Sequence, residues 1–202
     1  TVSSATGKGL SMASHDGVAT NATTGYTNNG TVDITGGTAS KTAAISTSFG
    51  YVDNKGTINV DKGIGAYGVN GSSLTNNNAI NITSSGVGMA GFASASKLKT
   101  YGTDDKISSG TLLAADKVLE ITNNGTITVA GNGSIGLYGN TNDIAGTGLV
   151  LTSNGVISNN GKIVMTGDSG VGIVSEGAGN TVNLGGTGSS DILVGKSGIG
   201  VY

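Results

Sequence analysis

Thr122-Asn123-Asn124-Gly125-Thr126-Ile127-Thr128-Val129 is followed, after Gly131, Asn132 and Gly133, by Ile135-Gly136-Leu137-Tyr138-Gly139. Thr126 to Val129 alternate polar and apolar, the period of a half-buried strand, and their β-branched side chains favour that state. Asn-Gly and the glycine pair around Asn132 punctuate the stretch as turns. The pattern recurs. Asn159-Asn160-Gly161-Lys162-Ile163-Val164-Met165 closes with Gly170-Val171-Gly172-Ile173-Val174, and Asp53-Asn54-Lys55-Gly56-Thr57-Ile58-Asn59-Val60 closes with Gly63-Ile64-Gly65-Ala66-Tyr67. Asn76-Asn77-Asn78-Ala79-Ile80-Asn81-Ile82 runs into Gly86-Val87-Gly88-Met89-Ala90, and a partial copy opens at Asn28-Asn29-Gly30-Thr31-Val32-Asp33-Ile34.

Within a copy, the step from the corner to the second glycine of the Gly-x-Gly element barely changes: 56 to 65, 78 to 88, 125 to 136, 161 to 172. Between copies it varies widely, since 56 to 78 is 22 residues and 78 to 125 is 47. A rigid two-strand element with variable excursions fits this spacing, whereas a helical repeat of fixed length does not. No useful window keeps apolar residues at the 3.6-residue period, so almost no helix is expected. Short strands separated by Gly and Asn corners describe an all-β solenoid, a parallel β-helix with a narrow core of Ile, Val and Leu. The corner Asn and Gly are expected to supply left-handed backbone, and stacked corner Asn residues to form amide ladders from coil to coil. About eight coils would span roughly 40 Å at the strand spacing.

Composition agrees. The 202 residues include 38 Gly and no Pro, Cys or Trp, and only 11% are charged, against about 25% in an ordinary soluble domain. Mean hydropathy is +0.07, and the apolar residues recur at fixed offsets, which a disordered chain lacks. Proline would remove a ladder hydrogen bond from a continuous sheet. Without Cys there is neither a disulfide framework nor a thiolate metal site. Ten Lys against twelve acids, a formal charge of −2, leave no basic footprint for nucleic acid or an anionic membrane. No stretch approaches a spanning helix.

Several motifs resemble catalytic or nucleotide sites. Gly63 to Gly68 and Gly86 to Gly91 match Gly-x-Gly-x-x-Gly, but a dinucleotide site needs that motif between a strand and a helix, and here it falls on repeat strands. Gly195-Lys196-Ser197 ends like a phosphate-binding loop, but Ser190 stands where its first glycine belongs. Gly185 to Asp191 resembles a calcium-binding β-roll unit, with its Asp one residue late and no repetition. Gly167-Asp168-Ser169-Gly170 matches the surroundings of a serine-protease nucleophile, which needs a His base; the lone histidine, His15, is several coils away and one His makes no zinc site. The acids Asp104, Asp105, Asp143 and Asp168 keep a polysaccharide-cleaving activity open as an alternative. The sequons at Asn21, Asn29, Asn70, Asn81, Asn124 and Asn132 follow from a composition rich in Asn, Ser and Thr. No cofactor or metal is expected.

The repeat is interrupted over residues 93–120, which hold a concentration of charge: Lys97, Lys99, Asp104, Asp105, Lys106, Asp116, Lys117 and Glu120, with Tyr101 among them. Insertions in solenoids leave the stack as surface loops and are where partners bind. Lys97, Lys99, Tyr101, Asp104, Asp105 and Lys106 are therefore the candidate partner-binding residues. The alternative is a solvated loop whose last residues, Lys117 to Ile121, rejoin the sheet as a third strand. A second excursion, Asn140 to Gly155, carries Leu149-Val150-Leu151, expected to supply a core strand. Gly7 to Met12 reads as the second half of a unit and Gly198 to Tyr202 stops at the equivalent place. One β-helix segment over 1–202, open at both ends and cut from a longer parent, is the expectation.

The units at 122–139 and their copies over about residues 27–202 resemble the repeats in passenger domains of Gram-negative autotransporters, especially the large fusobacterial adhesins. The resemblance implies a right-handed parallel β-helix, threaded out by a C-terminal β-barrel of the parent and displayed at the outer-membrane surface or secreted. It implies a non-catalytic adhesin and virulence factor that binds a protein or glycan receptor on host cells or other bacteria, without inserting into the membrane itself. The lack of Cys agrees with that export route. A pure stalk spacer is the further alternative.

Overall fold

The computed structural model describes residues 2–4, 9–13, 25–37, 42–48, 50–69, 72–93, 119–141, 155–177, 179–185 and 191–202. Among them are twenty strands and no helix. The strands sort into three parallel sheets that run the length of the molecule. The first sheet stacks β1 (Val2–Ser4), β4 (Thr31–Ile34), β7 (Thr57–Val60), β10 (Ala79–Ile82), β13 (Thr126–Val129), β16 (Lys162–Met165) and β19 (Ile192–Leu193). The second stacks β2 (Leu10–Ala13), β5 (Ala43–Ser48), β8 (Gly63–Val69), β11 (Gly86–Phe92), β14 (Ile135–Asn140), β17 (Val171–Glu176) and β20 (Ile199–Val201). The third stacks β3 (Gly25–Asn28), β6 (Tyr51–Asn54), β9 (Ser73–Asn76), β12 (Glu120–Asn123), β15 (Val156–Asn159) and β18 (Thr181–Leu184). Each coil contributes one strand to each sheet in turn, which is a parallel β-helix.

Two expectations are corrected. The unit has three strands, not two: the third is the segment that leads into the corner, where an apolar residue two positions before the Asn points inward, as Val52, Leu74, Ile121 and Ile157 do. The described residues also make six coils and two strands of a seventh, short of eight. The reason is the uneven cost of a coil in residues. Thr57 pairs with Ala79, 22 residues on, but Ala79 pairs with Thr126, 47 residues on. At about 4.8 Å per strand the stack is roughly 30 Å tall.

Alternation places every second side chain inside, so equivalent inward residues stack into ladders. Val32, Ile58, Ile80, Ile127 and Ile163 form one, in strict register along the first sheet. Ile45, Ala66, Met89, Leu137 and Ile173 form another along the second. All ten are buried, and burial of each large aliphatic contributes about 1.5–3 kcal/mol. Between these ladders runs a row of glycines, Gly65, Gly88, Gly136 and Gly172, the second glycine of each Gly-x-Gly element. A Cβ on Gly136 would lie 2.5 Å from the Gly172 carbonyl oxygen and 2.6 Å from Ile163 Cγ2. The glycine row lets the isoleucine ladder cross the core to the facing sheet.

The amide ladder is present, at the corner between the third and first sheets. Asn28 Nδ2 donates to Asn54 Oδ1, Asn54 to Asn76, Asn76 to Asn123 and Asn123 to Asn159, every bond 2.8 Å. Asn54, Asn76, Asn123 and Asn159 are fully buried. Outside, Asn160 donates to Asn124 at 3.0 Å, Asn124 to Asn77 at 2.8 Å and Asn77 to Asp53 at 2.8 Å. The corner glycines have a different role from the one expected. Gly56, Gly125 and Gly161 do not adopt left-handed φ; a Cβ there would strike the backbone of the preceding coil, so they permit close stacking. At the turn from first to second sheet, by contrast, equivalent residues of three successive coils are left-handed: Gly133 (φ 63°), Ser169 (φ 57°) and Ser197 (φ 58°).

Candidate functional site

The six residues expected to bind a partner, Lys97, Lys99, Tyr101, Asp104, Asp105 and Lys106, lie outside the described residues, as do His15, Asp143 and Leu149-Val150-Leu151. The flanks of the long excursion are described. Ala93 and Leu119 are both buried, and the Ala93 N–H donates to the Asn140 carbonyl at 2.9 Å. The coil resumes on β12, whose Glu120 to Asn123 pair with Ser73 to Asn76.

The motifs that resemble active sites fall on scaffold. Both Gly-x-Gly-x-x-Gly matches are strands, β8 and β11, and neither opens a helix. Asp168 and Ser169 form an exposed turn between β16 and β17. There the Ser169 N–H donates to the Lys196 carbonyl at 2.8 Å and the Asp168 N–H to Asn132 Oδ1 at 2.8 Å. Lys196 and Ser197 form the same turn one coil on. Among the described residues no three His, Cys, Asp or Glu side chains gather as a metal would need.

What the fold does assemble is an apolar groove on the outer face of the second sheet. Ile64, Val87 and Ile135 are paired in register on β8, β11 and β14 and point outward as an aliphatic ridge. Three residues further along the same strands, Tyr67 and Tyr138 stand either side of Ala90. Phe92 leans across the gap above this small residue, with its ring centroid 5.6 Å from Tyr67 and 5.2 Å from Tyr138, tilted at 50° and 49°. The two ridges enclose a groove of about 530 Å³ that runs along the helix axis, with Thr42 and Ala43 at one end. The outward residues are only half-buried, apart from Ala90 on the floor.

A polar cluster ends the aromatic ridge. The Tyr138 hydroxyl donates to Glu176 Oε2 at 2.7 Å, and Asn140 Nδ2 reaches Glu176 Oε2 at 2.6 Å and the Tyr138 oxygen at 2.9 Å. Burial raises the Tyr138 pKa; the Glu176 carboxylate adds to the rise and the Asn140 hydrogen bond opposes it. Burial alone raises that of Tyr67. Both phenols therefore stay protonated and available as donors across the physiological range.

The groove was not read from the sequence, because Ile64, Val87 and Ile135 look like core residues when the strand is considered alone. The available signal was a comparison between sheets. The outward positions of the first sheet on β7 and β13 are Thr57, Asn59, Thr126 and Thr128, whereas those at the centre of the second sheet are Ile64, Tyr67, Val87, Phe92, Ile135 and Tyr138, and a contiguous apolar outer patch is marked for contact. Compared with protein-family models, curated proteins and solved structures, the chain matches none.

Proposed function

We propose that the chain is a non-catalytic binding segment of a surface-displayed adhesin, a stiff solenoid that holds ligand-contacting surfaces out to another bacterium or a host cell. The observation that carries this reading is the apolar groove assembled on the outer face of the second sheet from three successive coils. Monomeric soluble proteins seldom leave such a patch open without a partner for it, and a rigid sheet beneath it presents the contact without loss of backbone freedom on binding. The likeness of residues 27–202 to autotransporter passenger repeats supports display at the outer-membrane surface of a parent anchored by a C-terminal β-barrel. The excursion between Ala93 and Leu119, which follows Phe92 closely in sequence, is the second contact surface in this reading.

The test is adhesion of beads coated with the purified chain to epithelial cells and to bacterial cells. Coatings of Phe92→Ala and of a variant with residues 94–118 replaced by a short Gly-Ser turn are compared, both checked by circular dichroism. Reduced adhesion in either folded variant supports the reading. Adhesion absent from the native chain, or equal in all three, overturns it in favour of a spacer.

A further inference from the structure

We infer that the groove between the Ile64–Val87–Ile135 ridge and the Tyr67–Phe92–Tyr138 ridge binds a neutral, extended oligosaccharide laid along the helix axis. The inference rests on the binding reading above and gives its ligand a chemical class. Direction comes first. Each ridge presents one side chain per coil, and the rings follow one another at 5.6 and 5.2 Å, so the groove has a translational repeat and suits a polymer with a matching one. A pyranose ring occupies about one coil spacing. An extended peptide repeats its same-face side chains every ~6.6–6.8 Å and drifts out of step with the rings within a few coils.

Charge and hydrogen-bonding chemistry point the same way. Among the described lining residues none is charged, and the Glu176 carboxylate, bonded to the Tyr138 hydroxyl at the end of the aromatic ridge, repels a polyanion such as nucleic acid or a sulfated glycan there. Glu176 Oε2 already takes two donors, from Tyr138 and Asn140, which fixes the carboxylate and partly satisfies its charge before any ligand arrives. A pre-held carboxylate with an amide and a phenol beside it matches vicinal hydroxyls, which both donate and accept. The rings and the aliphatic ridge supply apolar surface for the C–H faces of the sugars. This mixture of aromatic surface and fixed polar groups is also the make-up of small-molecule sites in general.

The experiment is calorimetric titration of the purified chain with neutral hexasaccharides of glucose, N-acetylglucosamine, mannose and galactose. A heparin hexasaccharide and a lysine-rich decapeptide serve as contrasts. Saturable binding of at least one neutral hexasaccharide is expected, weakened about tenfold or more by Phe92→Ala, the size of a lost central contact. Glu176→Gln, a surface change that keeps the shape of the side chain, weakens it several-fold and keeps the test decisive if Phe92→Ala does not fold. No saturable binding of any neutral hexasaccharide overturns the inference, as does binding indifferent to the folded substitutions. Preferential binding of heparin or of the peptide that Glu176→Gln abolishes also overturns it. Bead adhesion that depends on Phe92 in a chain that binds no saccharide overturns the glycan assignment and leaves the adhesive reading standing.

Discussion

Asn123 receives a hydrogen bond from Asn76 and donates one to Asn159, both at 2.8 Å and both out of contact with solvent. Its replacement by Ala removes both of these bonds and a longer one from Nδ2 to the Lys162 carbonyl at 3.3 Å, and leaves the Asn76 amide and the buried Asn159 Oδ1 without the partner between them. At about 1–3 kcal/mol per orphaned group, Asn123→Ala is expected to lower stability by about 2–4 kcal/mol, read from urea denaturation. Ser169 illustrates the opposite sign. It holds a left-handed φ of 57° where the equivalent residue one coil earlier is Gly133, a conformation that costs a side-chain-bearing residue about 1–2 kcal/mol. Ser169→Gly is expected to raise the midpoint of thermal unfolding, offset in part by the greater freedom of glycine in the unfolded chain. Asp61 makes the fold sensitive to acid. Its small burial would raise the pKa, but N–H donors of Gly37, Gly36, Lys62 and Asp61 itself hold it below the ordinary carboxylate value, with the Gly36 bond 2.7 Å and the Gly37 bond 3.0 Å. A depressed folded-state pKa means a contribution present above the unfolded value, about 3.9, and lost as pH falls through the folded one. The melting temperature of the native chain should therefore drop more steeply below about pH 4 than that of Asp61→Asn, and the two profiles should run parallel above about pH 5.

At the scale of the strand, period-2 alternation was enough to place the first-sheet strands, since Thr126-Ile127-Thr128-Val129 exposes and buries its residues as the pattern demands. The third-sheet strands were harder to read. Glu120-Ile121-Thr122-Asn123 offers a single apolar residue, and its inward partner is an Asn, which looks like a turn until the ladder satisfies its amide. The second-sheet strands defeat simple alternation, because Gly136 and Leu137 are consecutive and both face inward. That local break lets Ile135 and Tyr138 both point outward and so creates the two ridges of the groove. It also explains the glycine. Gly136→Ala pushes a methyl group into the Gly172 carbonyl and Ile163, and neither a backbone carbonyl nor a packed isoleucine can withdraw. A loss of about 2–4 kcal/mol is expected by denaturation, whereas Thr128→Ala, on the outer face of the same coil, should cost less than about 0.5 kcal/mol.

Over the whole molecule each coil pairs with the coils next to it, so stability is a sum of coil and interface terms, and a coil paired on one side is held less firmly than a coil paired on both. Leu184 and Tyr202, on or beside β18 and β20, are 55% and 73% exposed, whereas Asn159 and Val174 at the same positions one coil below are buried. In the purified chain, amide hydrogen exchange should therefore be fastest in the strands paired on one side, β1–β3 and β18–β20, and slowest in β7–β14; equal protection throughout would contradict a nearest-neighbour stack. The sequence by itself determined the solenoid, its corners, its inward aliphatic ladders and the possibility of an amide ladder, because alternation and corner chemistry are local properties repeated from coil to coil. Tertiary structure alone decided which outward side chains meet. Tyr67, Phe92 and Tyr138 are separated by 25 and 46 residues, coils consume 22 to 47 residues each, and only the register of the second sheet removes that variation and lines the rings up beside the aliphatic ridge.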